Sequence, residues 1–539
     1  MTLHHQASLD YSLTKKESKL NLFCYLPAFI ILSGIFFRLF HYFYNRGLYL
    51  DETSVAVNLL SKNYLALASP PLIYDQQAPL FFWWLEKGFC QLFGYSELSL
   101  RFIPLVCGII ALPLFWNLLK KLVEFKASVI GLFLLAFAYP VIYHSVEVKQ
   151  YIIELLTTIV LISSVSRYAF QDKTASYLAL GIIGALSMWF SYPAIFILTS
   201  IGITQSFWIF RNWNKKNALG LLLQGSLWGV SFLINFLLFI NKGTKIPWLI
   251  GFWEEYFMPW PITSKQDILW FFFRLDNFLE YPLGINWSFI SIYVVIKHTI
   301  ILIILLIGLK HLLKKNKALF SIIILSLCLT LVASSMHKYP FHGRLLVFLA
   351  PLLFIIISYG IEWINTQILK FQMHRFTILV ISFLICFPSV YYSFDQLFHP
   401  LKLVNAVYDI KKGLAFIKDK AQPNDTIYSM VWEGQTTYYS HIWKMPNKFI
   451  PFFYPQGSSI AELKKNISSA LAPLKTQKRV WFIVYGAPKV QLKINDKNQK
   501  LNIKEVNLIA DVLNHEGKCI DMYVEKNNCS VFLYELNQQ

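Results

Sequence analysis

The chain has 539 residues, of which 56% are hydrophobic and only 15% are charged. Soluble globular domains carry about 25% charged residues, so this composition argues against a soluble enzyme, a disordered chain and a fibrous repeat. It predicts an integral membrane protein. The formal net charge of +19 then indicates Lys and Arg on cytoplasmic loops and at lipid headgroups rather than a nucleic-acid partner.

Eleven apolar stretches approach or reach the length of about 20 residues that a helix needs to cross a bilayer. They lie near residues 25–44, 98–118, 127–143, 150–168, 175–190, 194–210, 218–240, 289–309, 318–335, 345–363 and 376–393. The sequence therefore predicts an α-helical multi-pass membrane protein with about 11 transmembrane helices in residues 25–395.

Basic residues in the short loops predict the orientation, because cytoplasmic loops are enriched in Lys and Arg. If residues 1–24 are a cytoplasmic N-terminal segment, the other basic clusters also face the cytoplasm, at 120–126, 211–216 and 310–317. The first apolar segment lacks a small-residue cleavage site, so we expect it to remain as an anchor. The opposite, extracytoplasmic face then carries two long loops, 45–97 and 241–288.

Beyond about residue 400 the chain becomes polar and lysine-rich. A helical pattern and three strand-like runs follow, at 403–420 and at 426–432, 479–485 and 530–536. We expect residues 400–539 to form a small α/β soluble domain on the extracytoplasmic side. Cys519 and Cys529 lie in this domain and could pair in an oxidising compartment.

Two adjacent carboxylates, Asp51 and Glu52, follow the outer end of the first predicted helix. Acids beside a bilayer are costly unless they are solvated or paired, so their place at the rim suggests a function. The alternative is a helix that ends in a solvated acidic loop. The same loop returns to the membrane through Asp75 and Gln76, which add polar side chains on this face.

A second acidic element opens the fourth span on the same face and contains Glu147, Lys149 and Tyr151. Glu154 follows Glu147 on the same helix face but about 10 Å deeper, so we expect only one of the two acids to reach a reacting centre. The alternative role for Glu147 is that of a helix-start acid that interacts with the helix dipole.

A basic corner between two later spans contains Lys338, Tyr339, His342 and Arg344. Clustered cations at a membrane rim suit an anionic headgroup such as a phosphate. The alternative is that these side chains reach lipid phosphates without specificity. Arg38 lies inside the first span, where we expect it to pair with an acid or with a lipid phosphate.

Together, two acidic corners and a basic corner on one membrane face describe a reaction site. Carboxylates supply a general base, cations stabilise a phosphate leaving group, and an apolar groove holds a lipid tail. The two long loops also contain Trp residues that suit either an interfacial aromatic belt or sugar stacking, namely Trp83, Trp84, Trp248, Trp253, Trp260, Trp270 and Trp287. The combination fits sugar transfer from a lipid phosphate.

The chain resembles the membrane glycosyltransferases of the C-type (GT-C) fold in an ordered series of residues: Asp51-Glu52, Tyr74-Asp75-Gln76, Glu147-Val148-Lys149-Gln150-Tyr151, and Tyr339-Pro340 with Gly343-Arg344. Within that fold it is most similar to the family 39-like, protein-mannosyltransferase and aminoarabinose-transferase-related proteins of bacteria. The resemblance spans about residues 25–365.

This resemblance implies an undecaprenyl- or dolichyl-phosphate sugar as donor and an active site on the periplasmic or lumenal side of a plasma (inner) membrane. Carried over, Asp51 is the general base and Glu52 is its neighbour. Glu147 stands for the acid of the second motif, with Tyr151 or Glu154 as alternative registers. The residues expected to bind substrate are Asp75, Gln76, Lys149, Tyr151, Lys338, Tyr339, His342 and Arg344.

The resemblance leaves the substrates open. The aminoarabinose-type enzymes carry Lys-Pro-Pro-Leu where this chain has Gln77-Ala78-Pro79-Leu80, which argues against that donor. No compact spacing demands a metal, although a divalent cation between the carboxylates and the phosphate is compatible with the pattern. Besides the lipid-linked donor and membrane lipid, the partner is an acceptor of unknown type: a lipid, a glycan or a protein.

Two other classes of function fit parts of the sequence. A transporter or flippase of polyprenyl-linked sugars would also use intramembrane charges and aromatic loops. A scaffold for envelope assembly would act through the soluble tail. Deletion of residues 400–539 is expected to leave some turnover in an enzyme and to abolish the function of a scaffold.

Overall fold

The computed structural model describes residues 25–171, 173–243, 245–285, 294–370, 376–400, 409–451, 461–462, 465–466, 469, 477–485, 489–494, 497–504, 517–524 and 529–536. Within these ranges the chain is helical up to residue 398, and strands occur only after residue 425. The helical part and the part with strands are therefore separate along the sequence, as the change in composition predicts.

The helices α1 to α20 of the described chain are, in order, Tyr25–Tyr44, Leu50–Ser61, Tyr64–Leu67, Leu80–Phe93, Glu97–Leu122, Phe125–Phe137, Tyr139–His144, Tyr151–Tyr168, Thr174–Phe190, Ala194–Arg211, Lys215–Asn235, Asn241–Gly243, Pro247–Phe252, Lys265–Glu280, Val294–Lys315, Lys317–Ser335, Ala350–Lys370, Phe376–Phe398, Lys411–Lys420 and Glu433–Ile442. Short 3-10 turns occur at Ile73–Asp75, Glu254–Tyr256 and Gly343–Leu349. A π-helical turn, Phe236–Ile240, extends α11.

The chain is a multi-pass membrane protein. Each of the eleven predicted apolar stretches overlaps one or more helices in the described residues, and residues 289–293 of the eighth stretch lie outside them. Seven of these helices are long and apolar enough to cross a membrane by themselves, and α6 and α9 are shorter apolar helices. The expected helical membrane architecture is confirmed.

One predicted span is broken in two. The stretch 127–143 forms α6 and α7, which are separated at Ala138, a residue with extended backbone (φ −61°, ψ 110°). Pro140 lies at the start of α7. Because proline lacks an N–H group, it suits the first turn of a helix but not a helix interior. The interruption leaves the last carbonyl groups of α6 available to other donors.

Arg38 donates hydrogen bonds to these carbonyl groups. The buried guanidinium donates to the carbonyl oxygens of Leu135 and Ala136, at 3.4 and 3.1 Å, and to that of Gly34 at 2.9 Å. Its Nε donates to Ser145 Oγ at 3.1 Å. The expected acidic or lipid-phosphate partner is therefore replaced by neutral acceptors, because a broken helix end supplies them where Arg38 lies.

Close helix packing in the membrane part depends on small residues. A Cβ atom added to Gly308 of α15 would lie 2.1 Å from the carbonyl oxygen of Ile356, and one added to Gly360 of α17 would lie 2.5 Å from that of Ile304. The two helix backbones thus contact each other at reciprocal glycines. This arrangement is typical of membrane helices, which associate through close packing rather than through the hydrophobic effect.

The described chain divides into two compact units. The membrane unit consists of the chain up to Phe43, of Tyr64–Phe89 and of Arg101–Phe398. The tail unit consists of Tyr44–Asn63, Cys90–Leu100 and the chain from His399 onward. Two segments of the first long loop, which the sequence groups with the membrane helices, thus cluster with the residues after 399. The segment that contains Asp51 and Glu52 is one of them.

The tail unit contains a five-stranded mixed sheet. The strands β1 to β7 are Thr426–Met430, Lys448–Pro451, Arg479–Tyr485, Lys489–Ile494, Lys497–Lys504, Gly517–Val524 and Cys529–Leu536. The sheet has the order β2-β1-β3-β7-β6, with β2, β1 and β3 parallel and β7 and β6 antiparallel additions, and β4 and β5 form a separate hairpin. The three predicted strands are the three central ones. Of the predicted helix 403–420, residues 403–408 lie outside the described residues and the rest contains α19.

The two tail cysteines are not paired. Cys519 of β6 lies opposite Tyr534, whereas Cys529 begins β7 opposite Tyr485 of β3. Five residues of β7 therefore separate the two positions, a distance of about 17 Å along a strand. Within the described residues, neither cysteine forms a disulfide. The pairing that the sequence left open does not occur in this sheet register, because a disulfide requires Cα atoms within about 7 Å.

Candidate functional site

The returning end of the first long loop is a tight corner. Tyr74 and Asp75 adopt left-handed backbone conformations (φ 56° and 49°), which turn the chain towards α4. Asp75 Oδ2 accepts a hydrogen bond from Trp248 Nε1 at 2.7 Å. The Ala78 carbonyl oxygen accepts one from the Tyr192 hydroxyl at 2.8 Å. Side chains from two distant segments thus hold this corner in one conformation.

The corner meets the acidic element of the fourth span. Lys149 Nζ donates to Gln76 Oε1 at 2.7 Å, and Gln150 Nε2 donates to the Gln77 carbonyl oxygen at 3.5 Å. Lys149 is 6% exposed. Two groups of predicted substrate-binding residues, 73 positions apart in the sequence, therefore lie side by side in the membrane unit. A buried cation thus lies beside a side-chain amide at this corner.

Glu147 belongs to a buried chain of three polar side chains. His144 Nδ1 lies 2.6 Å from Glu147 Oε2, and the Tyr281 hydroxyl donates to His144 Nε2. The Tyr143 hydroxyl lies 3.5 Å from the other carboxyl oxygen of Glu147. Burial, and then the neighbouring Glu147, raise the pKa of the Tyr281 phenol well above its usual value. The phenol therefore stays protonated and donates towards the imidazole.

A cationic cluster lies where the second long loop meets the basic corner. Arg274 of α14 donates to His342 Nδ1 at 3.2 Å and to the main-chain carbonyl oxygen of Glu255 at 2.9 Å. Its guanidinium lies 4.6 Å from the ring centre of Tyr256, and that ring lies 4.0 Å from the His342 ring. Arg274 Nε has no hydrogen-bond partner within the described residues. The guanidinium thus keeps both charge and a donor for a ligand.

His342 is neutral in this cluster. Its pKa is lowered to about 4 by burial first and then by the charges of Arg274 and Arg344. A neutral imidazole accepts the hydrogen bond from Arg274, and a protonated one would repel both guanidinium groups. The cluster therefore carries two positive charges rather than three near neutral pH.

Arg344 connects the cationic cluster to the fourth span. Its guanidinium lies 5.8 Å from the ring centre of Trp253 and 5.9 Å from that of Tyr151. The ring of Tyr151 is in turn 5.1 Å from that of His144. Two of the predicted binding residues, Arg344 and Tyr151, are thus in contact. A Trp residue of the second long loop packs against a cation here, as cation–π pairs do.

Two other residues of the basic corner differ in their surroundings. Lys338 is exposed. The Tyr339 hydroxyl donates to the Leu345 carbonyl oxygen at 2.6 Å, and burial, followed by Glu154 and Tyr151, raises the pKa of this phenol. Glu154 itself is 3% exposed. Glu154 thus lies near Tyr339, one turn of α8 below Tyr151, and remains an alternative to Glu147 as the acid of the second motif.

The adjacent acids of the first long loop have different environments in the tail unit. Glu52 is fully buried, pairs with Arg46 and accepts a hydrogen bond from the main-chain N–H of Tyr49 at 2.9 Å. Asp51 is partly exposed and is the second residue of α2. Glu52 therefore stabilises the beginning of the helix, and Asp51 is the acid of the pair that reaches solvent.

Sequence reasoning did not select three residues of these clusters. His144 precedes Glu147 by three positions, which is the spacing of neighbours on a helix. Tyr281 carries no local signal, because it contacts His144 across 137 positions. Arg274 is the single arginine in the loop 241–288, and a lone arginine in a Trp-rich outer loop is a signal that could have been used.

The described residues contain no group of three or more His, Cys, Asp or Glu side chains that could hold a metal ion. We therefore assign no residue to a divalent cation.

Comparison with known proteins gives a match to one family model over part of the chain and a likeness in fold. Residues 77–239 match the model of a family described as dolichyl-phosphate-mannose-protein mannosyltransferase. The chain is also similar to two crystal structures of ArnT from Cupriavidus metallidurans, one in the apo state and one bound to undecaprenyl phosphate, with TM-scores of 0.53 and 0.52. Each alignment covers 96% of this chain and 98% of that chain at 10% sequence identity, so the likeness concerns the fold. No curated protein sequence matches the chain.

Proposed function

Because this chain has the C-type glycosyltransferase fold and is related to the protein mannosyltransferases and to ArnT, we propose that it transfers a sugar from a polyprenyl-phosphate-linked donor. The acceptor is a lipid, a glycan or a protein. The reaction takes place on the extracytoplasmic face of a plasma (inner) membrane, with the N-terminal segment in the cytoplasm. The matched family region includes the acidic element from Glu147 to Tyr151.

The observation that carries this proposal is the cationic cluster of the membrane unit. Arg274 and Arg344 flank a neutral His342 among aromatic rings. Two guanidinium groups in a partly buried, aromatic setting suit a phosphate group, because planar guanidinium groups bind phosphate oxygens in pairs. In our proposal they bind the phosphate of the lipid-linked donor, and Lys149 and the exposed Lys338 add positive charge for the leaving phosphate.

We assign the remaining predicted residues to the binding of the sugar and the acceptor. Asp75 and Gln76 lie on the corner held by Trp248 and Lys149, and their polar side chains are assigned to sugar hydroxyl groups. Tyr151 and the basic-corner residue Tyr339 are assigned to aromatic contact with the sugar. These assignments rest on the contacts between side chains within the membrane unit.

The chemical step is a direct displacement at the anomeric carbon. Asp51 takes the proton of the acceptor hydroxyl, the hydroxyl oxygen forms a bond to the anomeric carbon, and the bond from that carbon to the phosphate oxygen breaks. The polyprenyl phosphate leaves with the electron pair of the broken bond, and the anomeric configuration inverts. Glu52 holds the start of the Asp51 helix. Glu147, paired with His144, orients the second motif.

Transfer by the purified full-length protein in lipid nanodiscs tests the proposal. The donors are undecaprenyl-phosphate hexoses and pentoses with a radiolabelled sugar, and the variants are Asp51→Asn and Glu147→Gln. We expect Asp51→Asn to lower the transfer rate by a factor of about 100 or more, in the range that a general base contributes, while binding of undecaprenyl phosphate is unchanged. Asp419→Asn removes an exposed carboxylate of α19 and serves as the matched control.

Two outcomes would contradict the proposal. If Asp51→Asn transfers at the wild-type rate, Asp51 is not the base. If wild type binds the lipid, moves it across a bilayer and transfers no label from any donor, the transporter or flippase alternative is correct.

A further inference from the structure

The main chain just before Asp51 is held by side chains from the far end of the sequence. In the tail unit, the Leu48 N–H donates to the Tyr439 hydroxyl at 2.9 Å, and the Leu48 carbonyl oxygen accepts from Gln435 Nε2 at 2.8 Å. Both side chains are fully buried, and Leu48 is 1% exposed. Because Gln435 and Tyr439 are four residues apart, they lie on one face of α20. One face of α20 thus forms hydrogen bonds with both the N–H group and the carbonyl group of Leu48.

The neighbouring residues of the loop are held in the same way. The Gly47 N–H donates to Asp409 Oδ2 at 3.1 Å, and Lys411 Nζ donates to the Asn45 carbonyl oxygen at 3.1 Å. A Cβ atom added to Gly47 would lie 2.2 Å from Asp409 Oδ1. The backbone therefore approaches the aspartate more closely than a larger residue would allow.

The side chains of Asp409, Lys411, Gln435 and Tyr439 form a clamp on residues 45–48. Further hydrogen bonds and an ion pair orient the side chains of this clamp. The Tyr439 hydroxyl donates to Glu97 Oε1 at 3.2 Å, and Lys411 Nζ lies 2.9 Å from the same oxygen. The Tyr485 hydroxyl donates to Gln435 Oε1 at 2.7 Å, which directs the amide nitrogen towards the loop. Burial, and then Glu97, raise the pKa of Tyr439 well above its usual value. The hydroxyl thus keeps its proton, donates to Glu97 and accepts from the loop.

The clamp lies at the edge of the sheet where α/β folds place their functional groups. Helix α20 follows β1 directly, so its first residues lie at the carboxyl end of that parallel strand. Tyr485 is the last residue of the parallel neighbour β3. Ligands and functional loops of open α/β sheets gather at this edge. Here the edge holds a loop of the same chain.

We propose that Tyr439 and Gln435 are positioning residues for Asp51. The inference rests on the proposed function, in which Asp51 is the base. Leu48 precedes Asp51 by three residues, and α2 begins between them, so the clamp determines where the first turn of this helix lies. A displacement of about 1 Å at a reacting group can cost a factor of about 100 in rate. In this proposal the tail unit contains both Asp51 and the residues that position it.

This inference reverses one expectation. Composition alone suggests that residues 400–539 are a separable domain whose loss leaves some turnover. The clamp instead predicts that removal of α20 frees the Asp51 segment and reduces turnover together with local order. Single-atom variants test this idea more sharply than a truncation, because they leave the fold of the tail in place.

The test compares Tyr439→Phe with Tyr438→Phe in the full-length protein in nanodiscs. Both residues are fully buried neighbours on α20, and each variant removes one hydroxyl group. The Tyr438 hydroxyl, however, donates to the Tyr95 carbonyl oxygen. We expect Tyr439→Phe to lower kcat about tenfold, with less than a twofold change in the KM for the undecaprenyl-phosphate sugar. Tyr438→Phe should stay within twofold of wild type in both constants.

A second readout needs no substrate. Amide hydrogen exchange should rise about fivefold at Leu48 in Tyr439→Phe and remain at the wild-type rate in Tyr438→Phe, since a lost hydrogen bond of about 1 kcal/mol corresponds to that factor. Equal turnover of wild type and Tyr439→Phe would overturn the inference, and so would an equal loss in the two variants. If wild type transfers no sugar, the proposed function fails, and the exchange rate alone then decides whether the clamp exists.

A second pair of variants separates the clamp from general destabilisation. Asp409 is partly exposed, so its substitution leaves the buried residues of α20 in place. Asp409→Ala removes the acceptor for the Gly47 N–H, whereas Asp409→Asn retains a carbonyl oxygen there. We expect Asp409→Ala to lower kcat and Asp409→Asn to restore most of it. Equal kcat values in the two variants and wild type would contradict a positioning role for this part of the clamp.

Discussion

Substitution of Arg274 by Gln should weaken the binding of undecaprenyl phosphate while the fold remains intact. Arg274 donates hydrogen bonds to a histidine ring and to a main-chain carbonyl oxygen, and both of these acceptors are neutral. A hydrogen bond between charged groups contributes about 1.5–3 kcal/mol. Loss of one such bond to the phosphate corresponds to roughly a 10- to 150-fold increase in Kd.

The assay is direct binding of undecaprenyl phosphate to the full-length protein in nanodiscs, at two salt concentrations. Arg274→Lys keeps the charge but loses the planar pair of donors, so we expect its Kd to lie between those of wild type and Arg274→Gln. Lys265→Gln removes an exposed charge from the first turn of the same helix, α14, and should leave the Kd within about twofold, as expected for a solvated charge. A Kd within twofold of wild type for Arg274→Gln would refute the assignment of the phosphate to this cluster.

Three further predictions concern titration and stability. The pKa of His342, about 4 in the native protein, should rise in Arg274→Gln. This pKa lies below the unfolded value of about 6.5. The stability contributed by neutral His342 is therefore present above pH 6.5 and is lost as the pH falls towards 4. Histidine hydrogen-exchange mass spectrometry measures the shift. His144→Phe leaves the buried Glu147 carboxylate without its closest donor and should lower stability by about 1–3 kcal/mol, seen as a lower apparent Tm. Arg38→Lys cannot reach all four acceptors of the guanidinium and should cost about 2 kcal/mol in the same measurement.

Matched variants control each of these measurements. Tyr143→Phe removes the long, 3.5 Å contact to Glu147 and should change the apparent Tm much less than His144→Phe does. Arg211→Lys changes an exposed arginine and should leave the apparent Tm unchanged. A His342 that titrates near pH 6.5 in wild type would contradict the burial and charge that the structure assigns to it. Equal Tm values for Arg38→Lys and Arg211→Lys would show that the carbonyl cap of α6 does not stabilise the helix break.

Fold class followed from the sequence because its cause is local. A run of about 20 apolar residues must become a helix in lipid, where each main-chain polar group needs a partner within the same segment. The central strands β1, β3 and β7 were predicted for a similar reason: their side chains are mostly buried, so they are rich in β-branched and aromatic residues. Edge strands β2 and β6 were missed, since strands with an exposed side retain polar residues and lose that signal.

Site residues were partly predictable for a different reason. Lys149, Gln76 and Arg344 attract attention because a charged or polar side chain at a membrane rim is costly without a role. Their partners are not visible in the sequence, because each pairing joins positions far apart: Lys149 meets Gln76 across 73 residues, and Trp248 meets Asp75 across 173. Such contacts depend on how helices pack, which no short pattern records.

The sequence by itself determined that this chain is a helical membrane protein with a small α/β tail, because hydrophobic periodicity and length act within each segment. Only the tertiary structure decided that the segment with Asp51 clusters with the tail, that Arg38 caps a broken helix, and that Arg274 joins His342. The physical reason is that hydrogen-bonding groups left free by one element are satisfied by whichever element packs against it. Tyr439 illustrates this most clearly, since its hydroxyl meets Leu48 from 391 residues away.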